Sequence, residues 1–198
     1  MRYGSDHKAE SKSRIIEAAA KQLRAKGPHR VSVAEIMSGA GLTHGAFYAH
    51  FDSKDALGAE AVLEMFADAG ERAGGLRDLP VHEGEDLRAA LRAFLKSYLS
   101  ASHRDRPDRG CPLPTLAADM GRSEAHARAN FVVGLNRMIG RMEDALSRLP
   151  RTNAAADARA VVAQMVGAVS LARAVGPGVQ SDAILRDCFD AIVERLAL

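Results

Sequence analysis

An all-α fold is predicted, with an N-terminal three-helix helix-turn-helix domain followed by a larger helical domain. Three observations predict it: alanine recurs throughout, β-branched residues never alternate with polar ones as a half-buried strand requires, and turn residues cluster between segments of helical length. With 198 residues, 47% of them hydrophobic and 26% charged, the chain can bury a sizeable core.

The first helix is expected over about Lys8 to Lys26, with Ile15, Ile16, Ala19, Ala20 and Leu23 on one face and a stop at Gly27-Pro28. Ser32 opens the second as N-cap, with Glu35 three residues on in a capping box and Val33, Ile36, Met37 and Ala40 facing inward. Gly39 to Gly41 end it. Thr43 is the expected N-cap of a third, short helix, and Leu42 before it staples against Phe47. Phe47 and Phe51, four apart, point inward, while His44 and Tyr48, also four apart, point outward beside Gly45 and Ala49. A helix start this bare of bulk allows close approach to a phosphate-lined groove, where free N–H groups and the helix dipole favour an anion. Two short helices around a glycine turn form a helix-turn-helix, read here over about residues 32–51.

A fourth helix, from Ser53 to about Ala73, carries Leu57, Ala61, Val62, Met65, Phe66 and Ala69. A loop over 74–84 leads to a fifth, about Glu85 to His103. A Pro-rich break, Arg104 to Pro114, precedes a short helix at Thr115 to Met120. Ser123 caps the long seventh helix, which ends near Leu149-Pro150, and helices over about Ala154 to Val175 and Ser181 to Leu196 complete the chain. In the last one, Ile184, Leu185, Cys188, Phe189, Ile192, Val193 and Leu196 make a stripe wider than one core face needs, so a partner is expected to cover the rest.

Charge is unevenly spread. Residues 1–51 carry +4 and the remainder −2, a basic start that suits a nucleic-acid contact. The polar N-terminal residues lack the apolar core of a signal peptide, and no run approaches the ~18 apolar residues of a spanning segment, so a cytoplasmic protein without a membrane role is expected. Two cysteines, Cys111 and Cys188, are too few for a disulfide framework or a four-thiolate metal site. Gly39, Gly41 and Gly45 follow no strand and have the spacing G-x-G-x-x-x-G, which is not a nucleotide fingerprint. The sequence has no Glu-x-x-His pair, His-Glu-x-x-His, Walker loop or Gly-x-Ser-x-Gly elbow. No enzymatic activity, catalytic residue, metal site or cofactor is therefore expected.

The stretch "VSVAEIMSGAGLTHGAFYAHFDSKDAL", Val31 to Leu57, resembles the N-terminal DNA-binding domain of TetR/AcrR transcriptional regulators. The similarity covers residues 9–69 and is carried by Gly41, Gly45, Tyr48, His50, Phe51, Ser53 and Lys54 in order, then Asp55 and Leu57. It implies phosphate contacts from Ser32, Thr43, Tyr48, His50 and Lys54, and base-edge contacts from His44, Gly45, Ala46 and Ala49. His44 stands where many members carry Lys or Gln, and Ala46 and Ala49 where Thr or an aromatic is frequent, so specificity is expected to rest on thymine methyl contacts and DNA shape. The partners implied are double-stranded DNA at a palindromic operator, a second copy of the chain joined through the last two helices, and an effector ligand.

Residues 70–198 are then a ligand-binding and dimerisation domain. Phe66, Phe94, Tyr98, Met120, Phe131, Met138 and Met165 lie on inner faces, and their mix of aromatic side chains and Met suits a pocket for a small apolar ligand. Taken singly, each one reads as ordinary core before it reads as a ligand contact. Cys111, beside Gly110 and near Arg104, Arg106 and Arg109, is a candidate thiol sensor, since cations lower a thiol pKa. The expected function is a transcriptional repressor released from its operator by the ligand. The alternatives are a helical dimer that binds a small molecule without operator specificity, and a repressor sensing electrophiles through Cys111.

Overall fold

The computed structural model describes residues 3–72 and 85–198, and among them every regular element is helical. In order these are α1 (Tyr3–Lys26), a 3₁₀ turn (Pro28–Arg30), α2 (Val33–Gly39), a 3₁₀ stretch (His44–Ala49), α3 (Lys54–Arg72), α4 (Glu85–Tyr98), α5 (Ala101–Asp105), α6 (Leu113–Met120), α7 (Ala125–Ser147), α8 (Ala154–Val175) and α9 (Val179–Leu196). The expected loop over 74–84 lies outside the described residues.

Two compact units emerge, and they are not linear halves of the sequence: residues 1–69 group with 111–133, and 70–110 with 134–198. The Pro-rich break explains the interleaving. Pro112 cannot extend a preceding helix, and its carbonyl starts α6 by accepting the Leu116 N–H at 3.0 Å.

In the first unit, α1 stops where Gly27, at φ 81°, turns the chain out of helical geometry. Its inner face, Ile15, Ala19, Ala20 and Leu23, is buried with Ile36 and Met37 of α2 and Leu57, Ala61 and Met65 of α3. A buried guanidinium ties the outer helices: Arg24 of α1, 1% exposed, donates to Asp68 Oδ2 at 2.7 Å and to the Met65 carbonyl at 2.9 Å. Nothing in the apolar pattern of α1 announces that residue, which reads as surface in the sequence.

In the second unit, α8 and α9 pair as an antiparallel hairpin around Gly176 and Gly178. The Asn153 side chain caps α8 by accepting the Ala156 N–H at 3.0 Å, and Val161, Val162, Met165, Val169 and Ala172 are buried. By length and mean hydropathy alone α8 could cross a membrane, but Asp157, Arg159, Gln164, Ser170 and Arg173 interrupt it, so the expectation that no run approaches ~18 apolar residues stands. Here it is the unit's core helix. Two arginines fasten the hairpin. Arg104, 6% exposed, donates to Ser181 Oγ (2.7 Å) and Asp182 Oδ1 (2.6 Å), and Arg151 joins Asp157 (2.8 Å) to the Leu196 carbonyl (2.9 Å).

The expected fifth helix is broken into α4 and α5, because Ser100 caps a new start by accepting the His103 N–H at 3.2 Å. The broad stripe on α9 also divides: Leu185, Ile192 and Leu196 are buried within this unit, while Ile184, Cys188, Phe189 and Val193 are half-buried. Ile192 is therefore a core residue and not part of a surface awaiting a partner.

Candidate nucleic-acid interface

The motif between α2 and α3 is built by short-range chemistry. Glu35 Oε2 accepts the Ser32 N–H at 2.8 Å while Ser32 Oγ accepts the Glu35 N–H at 3.2 Å, so the capping box satisfies two otherwise free donors. The Ser32 N–H, then Lys26 at 3.1 Å and the Ser32 hydroxyl, hold the Glu35 carboxyl at a pKa of about 2. Both donors of Ser32 point at Glu35, its hydroxyl at 2.9 Å.

At the other end of α2, Gly41 at φ 68° makes the turn, and its N–H bonds the Ser38 carbonyl at 3.0 Å. Two α1 side chains missed by sequence reasoning clamp this corner: Arg14 donates to the Ala40 carbonyl, and Gln22 Nε2 to the Glu35 carbonyl at 3.0 Å. Both are polar residues flanking the apolar stripe of α1, a pattern that marks an edge without revealing what the edge meets.

The following segment, His44–Ala49, is 3₁₀ and not α-helical, and Thr43 makes no side-chain cap hydrogen bond. Thr43 does hold the expected N-cap position, at φ −75° and ψ 151°, and one feature accounts for the changed helix type and the missing side-chain bond. The Thr43 carbonyl accepts the Ala46 N–H at 3.1 Å, an i→i+3 bond that tightens the first turn, so the start closes through backbone and leaves the hydroxyl uninvolved in capping. Phe47 and Phe51 are buried as their spacing predicts, stacked with ring centroids 5.8 Å apart. Opposite them, Thr43, His44, Gly45 and Ala49 are exposed, Tyr48 is 70% exposed, and Ala46 is half-buried. A Cβ added to Gly45 would meet nothing within 4 Å, so the face is open at its centre. His44 and Tyr48 stand edge to face, centroids 6.4 Å apart.

The two remaining candidates for phosphate contact sit at the rim. Lys54, half-buried at the start of α3, donates to the Pro28 carbonyl at 3.1 Å, which offsets its unfavourable place at the positive end of the helix dipole. His50 is half-buried, and its Nδ1 is buried without a hydrogen-bond partner among the described residues. Other cations of this region have partners: Lys12 lies 2.8 Å from Glu60 and Lys26 3.1 Å from Glu35.

The candidate ligand residues divide between the units. In the first, Phe66 and Phe131 meet edge to face at 6.2 Å, and Met120 lines a cavity of about 260 Å³. In the second, Phe94 and Tyr98 lie 6.1 Å apart, Met138 is half-buried and Met165 fully buried. Cys111 is half-buried and forms no disulfide. Of the three arginines invoked beside it, two face carboxylates that offset their charge: Arg104 is held by Asp105 and Asp182, and Arg109 Nε lies 3.7 Å from Asp108. Among the described residues, no three His, Cys, Asp or Glu side chains come together as a metal site requires.

Residues 15–62 match the family model of bacterial regulatory proteins of the tetR family. An uncharacterized HTH-type transcriptional regulator of Bacillus subtilis (strain 168), YdgC, is 40% identical over 56 residues, 28% of this chain and 29% of that protein, so the match spans under a third of the relative's length. The fold of the whole chain resembles that of reduced NemR from E. coli (TM-score 0.77, 17% identity, 93% of this chain and 95% of that one). It also resembles a TetR-family regulator of Cytophaga hutchinsonii (TM-score 0.79, 18% identity, 96% and 95%). Sequence match and architecture converge on the corner built by Ser32, Gly41 and Phe47: residues 15–62, which contain it, are similar to the bacterial regulatory proteins of the tetR family.

Proposed function

We propose that the protein is a homodimeric, sequence-specific transcriptional regulator that represses until a small apolar ligand releases it from a palindromic operator. The observation that carries the reading is the exposed Thr43-His44-Gly45 face, small at its centre and backed by the buried Phe47 and Phe51. Such a face enters the major groove by its first turn, with Thr43, Tyr48, His50 and Lys54 on phosphates and His44, Gly45, Ala46 and Ala49 at base edges. Ser32 takes part through its position at the α2 start, since its own donors are committed to Glu35.

Dimerisation is supported by what the α8–α9 hairpin leaves uncovered. Leu171 is 59% exposed and Val175 48%, more than isolated apolar surface residues need. Pairing two such hairpins sets the distance between recognition segments, and ligand binding within the dimer changes that distance through α3 and loses register with the half-sites. The ligand is taken up by the aromatic and Met side chains of the helical domain, Phe94, Tyr98, Met138 and Met165 among them. The protein works where genomic DNA lies, in the cytoplasm, and no catalytic role is assigned to it.

Sequencing genomic fragments captured by the purified protein tests the reading. Enrichment of one palindromic motif, with protected half-sites about one helical turn apart, is the expected result. Binding without sequence preference would leave the alternative, a ligand-binding helical dimer.

A further inference from the structure

We propose that the cavity in the first unit is a binding site for a small apolar monocarboxylate, which engages Lys54 and thereby opposes DNA binding. The coupling to DNA rests on the reading above; the site itself does not.

The cavity, about 260 Å³, is bounded by α1, the Pro28–Arg30 turn, α2, α3, α6 and the start of α7, all within one compact unit. Its floor is apolar: Ile36, Leu57, Met65 and Leu116 are each at most 1% exposed. The space opens to solvent at a polar rim while its floor is closed by these apolar side chains, so it can admit an amphipathic occupant from outside. It exceeds the ~150 Å³ apolar cavity that accepts a benzene ring and lies just under the ~300 Å³ of drug-sized pockets, which limits the occupant to a single ring or a short branched chain. Gly58 of α3 widens it, because a Cβ placed there would meet nothing within 4 Å.

Charge at the rim selects the polar end. Three cationic or potentially cationic side chains line the cavity, and two are already engaged: His29 Nε2 lies 3.6 Å from Asp119, and Arg122 3.4 Å from the same carboxylate. Lys54 has only a neutral partner, the Pro28 carbonyl at 3.1 Å, and no carboxylate among the described residues. An ammonium has three donors, so two are left for an anion. Asp55 and Glu124, exposed on the same rim, disfavour a second negative charge and so favour a monocarboxylate over a phosphate monoester. A carboxylate on Lys54 takes up the charge otherwise offered to the DNA backbone, and linkage makes the opposition reciprocal.

The test uses the full chain and 4-fluorobenzoate, followed by fluorine NMR without DNA, with 4-fluorobenzyl alcohol as the uncharged counterpart. Saturable binding of the acid is expected, weakened about tenfold in Lys54→Met, the loss of one charged hydrogen bond, and abolished in Gly58→Leu. Gly58→Leu fills open space and improves helix propensity, so it folds; its melting temperature checks this. The alcohol binds more weakly and is indifferent to Lys54→Met. No saturable binding of the acid, or binding unchanged in Gly58→Leu, overturns the site. On captured operator DNA, 4-fluorobenzoate lowers the affinity of the wild type and leaves that of Gly58→Leu unchanged; equal effects on both overturn the coupling. Acid binding that depends on Gly58 in a chain that binds no operator removes the regulator reading and keeps the site.

Discussion

Two glycines four residues apart do different work, and substitution separates them. Gly41 has φ 68°, and a Cβ there would meet Arg14 Nη2 at 2.9 Å, whereas the same atom at Gly45 meets nothing. Gly41→Ala should therefore destabilise the chain by about 1–2 kcal/mol, the strain of a left-handed non-glycine residue, visible as a lower denaturation midpoint. Gly45→Ala should keep that midpoint and weaken operator binding by about 1–3 kcal/mol, because the added methyl holds the backbone off the bases. If Gly45→Ala melts early instead, the segment is packed and is not a reading face. Charge residues on this face are separable in the same way. Lys54→Ala should weaken all DNA sequences alike and flatten the salt dependence of log K by roughly two for a dimer, one phosphate per subunit. His44→Ala should alter base preference with little change in that slope. Filter binding at several salt concentrations reads both.

At the scale of elements, the start of α2 predicts a pH dependence. Glu35 titrates near 2 when folded against an ordinary value of 4.5, so its contribution is complete above about pH 4.5 and is lost as the pH falls toward 2. Glu35→Gln keeps the reach of the cap without the charge. The gap in melting temperature between it and the wild type should be widest near neutrality and close across that interval; a gap that persists at pH 2 would mean the carboxylate adds nothing. This element was legible in the sequence because its causes sit three residues apart, Ser32 and Glu35. The same holds for α8, whose expected limits at Ala154 and Val175 are those observed, set by Asn153 and Gly176. Where two local signals competed, the reading went astray. Leu87, Leu91, Leu95 and Leu99 keep one helical stripe running across Ser100, yet the Ser100 cap restarts the helix and splits α4 from α5. Thr43 has the chemistry of a cap, and the 3₁₀ closure by its own carbonyl made the side chain unnecessary.

For the whole molecule, legibility ends where a stripe must choose between two partners. The apolar residues of α9 announce that something covers them, and only the fold shows that Ile192 faces its own unit while Leu171 and Val175 of α8 stay exposed. The consequence is a reassignment of which substitutions dissociate subunits. Leu171→Glu with Val175→Glu should yield a folded monomer by sedimentation, with its helical circular dichroism intact. Ile192→Glu places a charge in a fully buried site and should unfold the second unit at any protein concentration. A double glutamate variant that still sediments as a dimer moves the interface off α8.

The apolarity of α8 also has a meaning during synthesis. A ribosome completes α8 before it begins α9, and at roughly 5–20 residues per second the 18 residues of α9 take about one to four seconds more. For that interval α8 lacks the cover of α9, and Arg104 has no Ser181 or Asp182 to hold. Ribosome-bound chains ending at Gly178 and carried clear of the exit tunnel by a linker should therefore cross-link to chaperones or sediment with membrane vesicles, and chains ending at Leu198 on the same linker should not. The hairpin partner is thus also the segment that withdraws α8 from the quality-control machinery, and mutations that slow its arrival should lower yield without touching the stability of the finished protein.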